Sequence, residues 1–404
     1  MKAMEIDVAT EITSTTTSKT KSAVSKETFA FLFIVGGAFI YLGHTMGVGI
    51  MFNVIMNTAH DLLLNTVFFI LSVAVLAGAL AALLSEFGVV ALINKIISPI
   101  IKPLYGLPGA ASIGAITTYL SDNPAIISLA KDKGFIKYFK NYQVPALCNL
   151  GTAFGMGLIL TTYMMSLGKE FIVPALIGNL GAIIGSIVSV RLMIRHTKKY
   201  YNIDQPQKST IKTNAADEFF NTRDIRSGNT FERALDAILE GGKNGVEMGL
   251  AIIPGVLFIC TIVMILTFGP AGVENGVAVY QGKAYEGVAL LPRLGKYIFP
   301  VIKPLFGFEN VEALAFPITS LGAVGAAMGL LRNFLDNNLV GPGDIAVFTA
   351  MGMCWSGYLS THVGMMDALK VRQLANKAIL SHTIGGAVAG IAANYLYMLY
   401  TLLF

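Results

Sequence analysis

Long stretches without one charged residue dominate this chain. Leu62 to Ser85 is such a window, closed by Asp61 and Glu86. Others lie between Lys140 and Lys169, Glu170 and Arg191, Glu247 and Glu274, Asp344 and Asp367, and from Ala378 to the C-terminus. Each suits one crossing of a hydrocarbon layer that takes about 20 helical residues to span. Only 13% of the 404 residues are charged and 54% are hydrophobic, whereas soluble domains carry about 25% charge. So few charges cannot furnish a water-facing surface. The chain therefore reads as an all-α polytopic membrane protein, and collagen-like, disordered and nucleic-acid-binding classes are excluded. Its net charge of +5 fits basic flanks on spans, not a nucleic-acid partner. Cys148, Cys260 and Cys354 sit far apart in apolar runs, which gives neither a disulfide framework nor a zinc site.

Composition shifts divide the chain. Residues 1–28, rich in Ser, Thr and Lys, read as a flexible cytoplasmic tail without a signal peptide, and 29–61 hold an extra first span (about Phe29 to Gly47) and an outer loop. Residues 62–194 and 233–404 hold two similar halves, joined by a basic linker over 195–232. Nine Lys or Arg between Arg191 and Arg233 place that linker in the cytoplasm, and the sparsely basic stretch from Gly269 to Lys296 outside. Seven full spans from a cytoplasmic N-terminus reach the same sides, with the C-terminus outside.

The halves repeat one another. Pro99-Ile100-Ile101-Lys102-Pro103-Leu104-Tyr105-Gly106 returns 201 residues on as Pro300-Val301-Ile302-Lys303-Pro304-Leu305-Phe306-Gly307. Ser112-Ile113-Gly114-Ala115 matches Ser320-Leu321-Gly322-Ala323, Cys148-x-x-Gly151 matches Cys354-x-x-Gly357, and Gly181 to Gly185 matches Gly386 to Gly390. Four matches in order at nearly constant spacing indicate duplication. Each half reads as a span, an interfacial helix, a re-entrant hairpin and two spans. Three spans per half make the second copy inverted, an arrangement of secondary transporters that bind solute near the midplane.

The hairpins are expected from Gly- and Pro-rich apolar segments, Pro103 to Ser121 and Ala313 to Leu331, that run into polar residues. Non-helical backbone at membrane depth is tolerated where it lines a polar cavity, and polar side chains there mark solute or ion paths. The candidates are Ser121, Asp122 and Asn123 at the first tip, with Asn149 and Thr152 in the span that follows. In the second half they are Asn333 and Asn337, with Asp336 nearer the outer surface, then Trp355, Ser356, Ser360, Thr361 and His362. Asp122, Asn149 and Thr152 are the candidate ion ligands. Half-helix N-termini suit an anionic or carbonyl group and loosened carbonyls suit Na⁺. Each residue has a structural alternative: Asp122 as a helix cap, the hydroxyls bonded to their own helix, and Trp355 and His362 as packing groups. Lys102 and Lys303 read as anchors of the interfacial helices, and Glu86 and Glu247 as groups at the water boundary.

Ser121-Asp122-Asn123-Pro124-Ala125 resembles the Thr-Glu-Ala-Pro hairpin motif of concentrative nucleoside transporters. Leu150-Gly151-Thr152 is similar to the Gly-Thr of their next broken span, and Cys354 to Gly364 resembles their late span, with Ser360-Thr361 at its Ser-Ser pair. The likeness covers about residues 62 to 402 and extends to the wider gate, or nucleoside-recognition, membrane family, which includes spore maturation proteins. The chain departs from the transporters at Asn333-Phe334, where they carry Glu-Phe, and lacks their late-span Asn near Trp355 to Tyr358. The resemblance implies a Na⁺- or H⁺-coupled elevator in the cytoplasmic membrane, moving a nucleoside or another small polar metabolite. It further implies a homo-oligomer, a trimer in that family. Its alternative is a non-transporting gate-family component in envelope assembly or signalling. No metal cluster, nucleophile elbow or phosphate loop points to an enzyme, and a Na⁺ coupling ion is the one cofactor candidate.

Overall fold

A computed structural model describes residues 22–202 and 225–404. Most of the expected tail and the greater part of the basic linker lie outside the described residues. Six helical runs among the described residues are long and apolar enough to cross a membrane: Lys26–Met46, Val48–Glu86, Ala146–Ser166, Lys169–Tyr200, Thr230–Thr267 and Arg372–Leu403. The remaining expected window, between Asp344 and Asp367, is split into two shorter helices at Trp355–Gly357, because Gly357 adopts φ 60° and ends the helical path.

Helix α1 (Lys26–Met46) stops at Gly47, and α2 (Val48–Asp61) passes through a π-helical turn at Leu62–Val67 into α3 (Phe68–Glu86). The expected outer loop before residue 62 is therefore helical. No proline interrupts it and no glycine lies between Gly49 and Gly78, so nothing stops propagation. Asp61 is tolerated within the run because Asn65 donates to it at 2.7 Å and the Tyr285 hydroxyl donates to its other oxygen. At the far end Glu86 is paired with Arg226 and Arg233, each at 2.7 Å, which fastens the basic stretch to α3.

The segments expected at the membrane interface are helical, as α4 (Val89–Tyr105), α13 (Leu290–Gly295) and α14 (Phe299–Phe306). The duplicated Lys-Pro-Leu block ends alike in both. Gly106 and Gly307 take φ 74° and 75°, and their N–H groups return to the Lys102 and Lys303 carbonyls. The next carbonyls are then held by a later long helix. Arg191 donates to Leu104 O at 2.7 Å, while Asn394 donates to Leu305 O at 3.1 Å and Tyr395 to Pro304 O at 3.3 Å. These carbonyls lie in the last turn of each helix, where no N–H four residues on can pair with them, so both copies use such an anchor.

Two helical hairpins follow these segments: α5 (Ala111–Leu120) with α6 (Pro124–Lys131), and α15 (Ala315–Gly322) with α16 (Val324–Asp336). The first turns at Ser121–Asn123 as the sequence predicts. The second turns at Ala323, so its tip is apolar, and Arg332 to Asn337 sit at its foot. That placement corrects the expectation of a polar second tip: the Gly322-Ala323 pair, not the Asn-rich stretch, breaks the helix. After α7 (Lys133–Ile136) come α8 (Ala146–Thr152), α9 (Gly157–Ser166) and α10 (Ile172–Tyr200). Helix α11 (Thr230–Ala251) continues through a second π-helical turn into α12 (Thr261–Thr267), and a short antiparallel pair, β1 (Gly272–Glu274) and β2 (Val277–Val279), follows. The chain closes with α17 (Pro342–Cys354), α18 (Tyr358–Ala368) and α19 (Ala375–Leu403).

Two glycine-faced helix pairs frame this arrangement. Helix α10 crosses α19, where a Cβ on Gly185 would stand 2.4 Å from the Gly385 carbonyl oxygen. Helix α3 crosses α11, where a Cβ on Gly245 would stand 2.3 Å from the Ala74 carbonyl oxygen. Small residues let helix backbones approach in lipid, where no hydrophobic force drives helices together. Gly245→Leu should therefore cost about 1–3 kcal/mol or more through overpacking and lower the unfolding temperature of the detergent-purified protein. Gly272→Ala, which faces open space, should leave it unchanged.

Candidate functional site

Four half-length helices begin close together. Helix α6 starts at the first hairpin tip, α16 at the second, and α9 and α18 restart the interrupted paths of α8 and α17. Met156 and Gly357, each the residue before a restart, adopt left-handed φ of 53° and 60°. None of the four starts has a side-chain cap, although the first N–H groups of any helix need outside partners.

A cavity of about 730 Å³ lies where these starts meet. Its walls are the tips Ser121 to Ala125 and Gly322 to Gly325, the α9 start at Met156, the α18 start from Ser356, and one face of α11 from Asn244 to Gly255. The size falls within the range of small-molecule sites, about 300–1,000 Å³.

The cavity gathers six of the residues expected from sequence: Ser121, Asp122, Asn123, Ser356, Ser360 and Thr361. Asp122 accepts from the Asn123 N–H at 2.7 Å. Asn123 is buried, and its amide donates to the Ser356 carbonyl. The same amide lies on Gly155, where a Cβ would stand 2.1 Å from the Asn123 Oδ1. One side chain thus ties the first hairpin tip to the breaks in both crossing paths. Ser360 and Thr361 donate to the Gly357 carbonyl at 3.1 and 3.3 Å, so they pair within their own turn while facing the cavity.

The other expected residues lie elsewhere. Thr152 donates to the Cys148 carbonyl at 2.7 Å within its own helix. The Trp355 indole rests on Gly386, where a Cβ would meet its Nε1 at 2.0 Å. Asn337 donates to the Asn333 carbonyl at 2.8 Å, and both sit at the foot of the second hairpin. Beside them Arg332 and Asp336 line a separate cavity of about 320 Å³.

Asn149 and His362 belong to a buried network behind the cavity. Asn149 donates to Ser189 Oγ and to the Ala378 carbonyl, each at 3.0 Å. His382 Nε2 lies 2.6 Å from the Cys354 carbonyl, and its Nδ1 lies 2.9 Å from Ser189 Oγ. A carbonyl only accepts, so Nε2 carries the proton and, in the neutral ring, Nδ1 accepts from the serine. His362 Nδ1 donates to the Tyr358 carbonyl at 2.8 Å, and the two imidazole rings stand 4.8 Å apart. Asn149 Oδ1, Trp355 Nε1 and His362 Nε2 are buried without a protein partner.

The sequence reading does not reach His382, Ser189, Asn244 or the place of Glu247 on the cavity wall. The signal for the α11 pair was available: Gly241, Gly245 and Gly249 mark the face packed on α3, and Asn244 and Glu247 stand together on the adjacent one. Nothing in the sequence distinguished His382 or Ser189 from ordinary polar residues of a long span.

The sequence matches no family profile and no curated protein. Solved structures of the concentrative nucleoside transporter CNTnw are similar. Its inward-facing substrate-bound state shares 14% identity over 92% of this chain and 86% of that one, with a TM-score of 0.52. Intermediate states of a CNTnw variant give 14% identity, 92% and 87% coverage and 0.53, and 15% identity, 91% and 87% coverage and 0.51. The chain therefore has the concentrative nucleoside transporter fold, and it is a multi-pass membrane protein.

Asn123→Ala removes the amide that pairs the buried Ser356 carbonyl, so it should cost about 1–3 kcal/mol and lower the unfolding temperature. Asn337→Ala, exposed at the hairpin foot, should stay within about 0.5 kcal/mol of the parent.

Proposed function

We propose that this chain is a secondary active transporter that moves a small polar solute across the cytoplasmic membrane. The observation that carries the reading is the cavity at the meeting of four uncapped helix starts, lined by both hairpin tips. Broken helices at membrane depth are costly unless their free backbone groups serve a solute or ion. The two halves act as inverted repeats, with the N-terminus in the cytoplasm. Both hairpins, α8–α9 and α17–α18 form the moving unit of an elevator, and the α3–α11 pair belongs to a static scaffold within a homo-oligomer, a trimer by resemblance. In this reading the Glu247 face of α11 is the wall past which the Asp122 tip slides.

Transport is driven by a Na⁺ or H⁺ gradient. The residues beside the first break fit Na⁺, which takes oxygen ligands: Asn149 Oδ1 is buried and unpartnered, and Thr152 and Asp122 add a hydroxyl and a carboxylate. These three side chains would hold the ion, which when bound supplies a positive charge next to the hairpin tip. Among the described residues no three His, Cys, Asp or Glu side chains cluster as ligands of a tighter-binding metal.

Purified protein in proteoliposomes, given a Na⁺ or pH gradient, should show saturable uptake of at least one solute from a panel of nucleosides and other small polar metabolites. Asp122→Asn should reduce that flux at least about tenfold, the effect of losing roughly 1.4 kcal/mol of interaction. Folded protein with no gradient-dependent flux for any solute would overturn the reading and favour the non-transporting role.

A further inference from the structure

The second cavity, of about 320 Å³, has no part in the transporter reading. It lies where three elements meet: the π-helical turn at Leu62–Val67 that leads into α3, the end of α9, and the foot of α16. Its size falls within the range of small-molecule sites. Single π-helical turns are rare and frequently accompany functional sites. This one sets Asn65 and Thr66 side by side on the cavity wall.

Thr66 has an unused hydroxyl. Buried threonines elsewhere return theirs to a carbonyl one turn back, as Thr118, Thr152, Thr267, Thr319 and Thr349 do. Thr66 is 4% exposed and its hydroxyl has no partner among the described residues. Arg332 is unused as well. It lines the same cavity without an ion pair or hydrogen bond among the described residues, and its planar fork of donors suits a carboxylate. The neighbouring hydroxyls are already committed: Tyr163 donates to the Met328 carbonyl at 3.0 Å and Ser166 to the Tyr163 carbonyl at 2.6 Å. Phe69 and Tyr163 add a ring wall, edge to face with centroids 5.9 Å apart. Asp336, one turn along α16 from Arg332, lines the cavity and is likewise without an ion pair.

We propose that this cavity is a second ligand site, for a small monocarboxylate with an apolar or aromatic body. The carboxylate meets Arg332 and Thr66, and the body lies against Phe69 and Tyr163. A second negative charge on the ligand would face Asp336, which limits the class to monocarboxylates. A bound ligand joins the foot of α16 to the entry of α3. The inference goes beyond the transporter reading. Where that reading holds, α16 moves and α3 does not, so the ligand slows uptake by holding one to the other.

Benzoate, its uncharged analogue benzamide and benzene-1,2-dicarboxylate separate the cases. Each is titrated against the purified full chain by thermal shift, since a ligand stabilises according to its saturation. Benzoate should bind at least about tenfold more tightly than benzamide, the gain of a charge-assisted contact. Arg332→Gln should remove that advantage, and Thr66→Val, of similar shape, should weaken benzoate about three- to tenfold. Asp122→Asn, in the other cavity, should leave benzoate binding unchanged. The dicarboxylate should bind more weakly than benzoate, and Asp336→Asn should narrow that gap. Benzoate should also slow amide exchange at Leu62–Val67 and at the foot of α16 together. Benzoate no tighter than benzamide, or unaffected by both Arg332→Gln and Thr66→Val, overturns the site and leaves transport standing. Stabilisation by phosphatidylglycerol in the micelle, with none by benzoate, assigns the cavity to a lipid headgroup and overturns it too. Benzoate binding without protection of both segments overturns the joining role. Absence of flux for every solute sinks the transporter reading alone, because binding and exchange are read without it.

Discussion

Backbone N–H and C=O groups set free inside a membrane need partners, since lipid offers none. This chain frees them at four places and meets the need with very few side chains. Asn123 makes the side-chain contact that joins the breaks to one another. Its amide holds the Ser356 carbonyl in the late break and rests on Gly155 in the early one. A hairpin tip and two interrupted helices thereby become one body. The glycine at 155 is required by that contact, because any side chain there would displace the amide. The fit of tip to breaks fixes where the helix starts point, and hence the polarity of the cavity.

Two polar systems result, with different characters. The cavity is open, bordered by carboxylates and hydroxyls, and suited to exchange. Behind it the Asn149–Ser189–His382 chain is closed and directional: the Cys354 carbonyl fixes the His382 proton on Nε2, and the neutral ring leaves its other nitrogen to the serine. That chain joins α8, α10 and α19 to the end of α17, so it braces the breaks from the side away from the cavity.

Much of the architecture was legible in the sequence because lipid imposes simple rules. Most charge-free windows coincide with helical runs long and apolar enough to cross a membrane, and the duplicated Lys-Pro-Leu block ends two helices whose Gly106 and Gly307 take the same φ within a degree. The first hairpin was readable because its polar triplet coincides with its turn. The second was not, since Gly322-Ala323 breaks the helix without any polar mark, while the conspicuous Asn333 to Asn338 stretch lies at the foot. In the sequence Asp61 resembles a span boundary, so residues 48–61 read as a loop, where the structure has helix α2. The Asn65 amide one turn on and the distant Tyr285 hydroxyl both donate to Asp61, and the helix continues through it. Glu247 reads as a charge at the water boundary, and the structure leaves it exposed on the wall of the open cavity.

The central claim is that the cavity between the hairpin tips and α11 is a solute site open to each side of the membrane in turn. Ser360 lines it and is exposed, and the native cysteines are all buried. Reaction of Ser360→Cys with a membrane-impermeant thiol reagent, in right-side-out and in inverted vesicles, tests this most directly. The account predicts modification from both faces, slowed by any solute that stabilises the protein. Modification from one face only, at a rate no such solute alters, would contradict it.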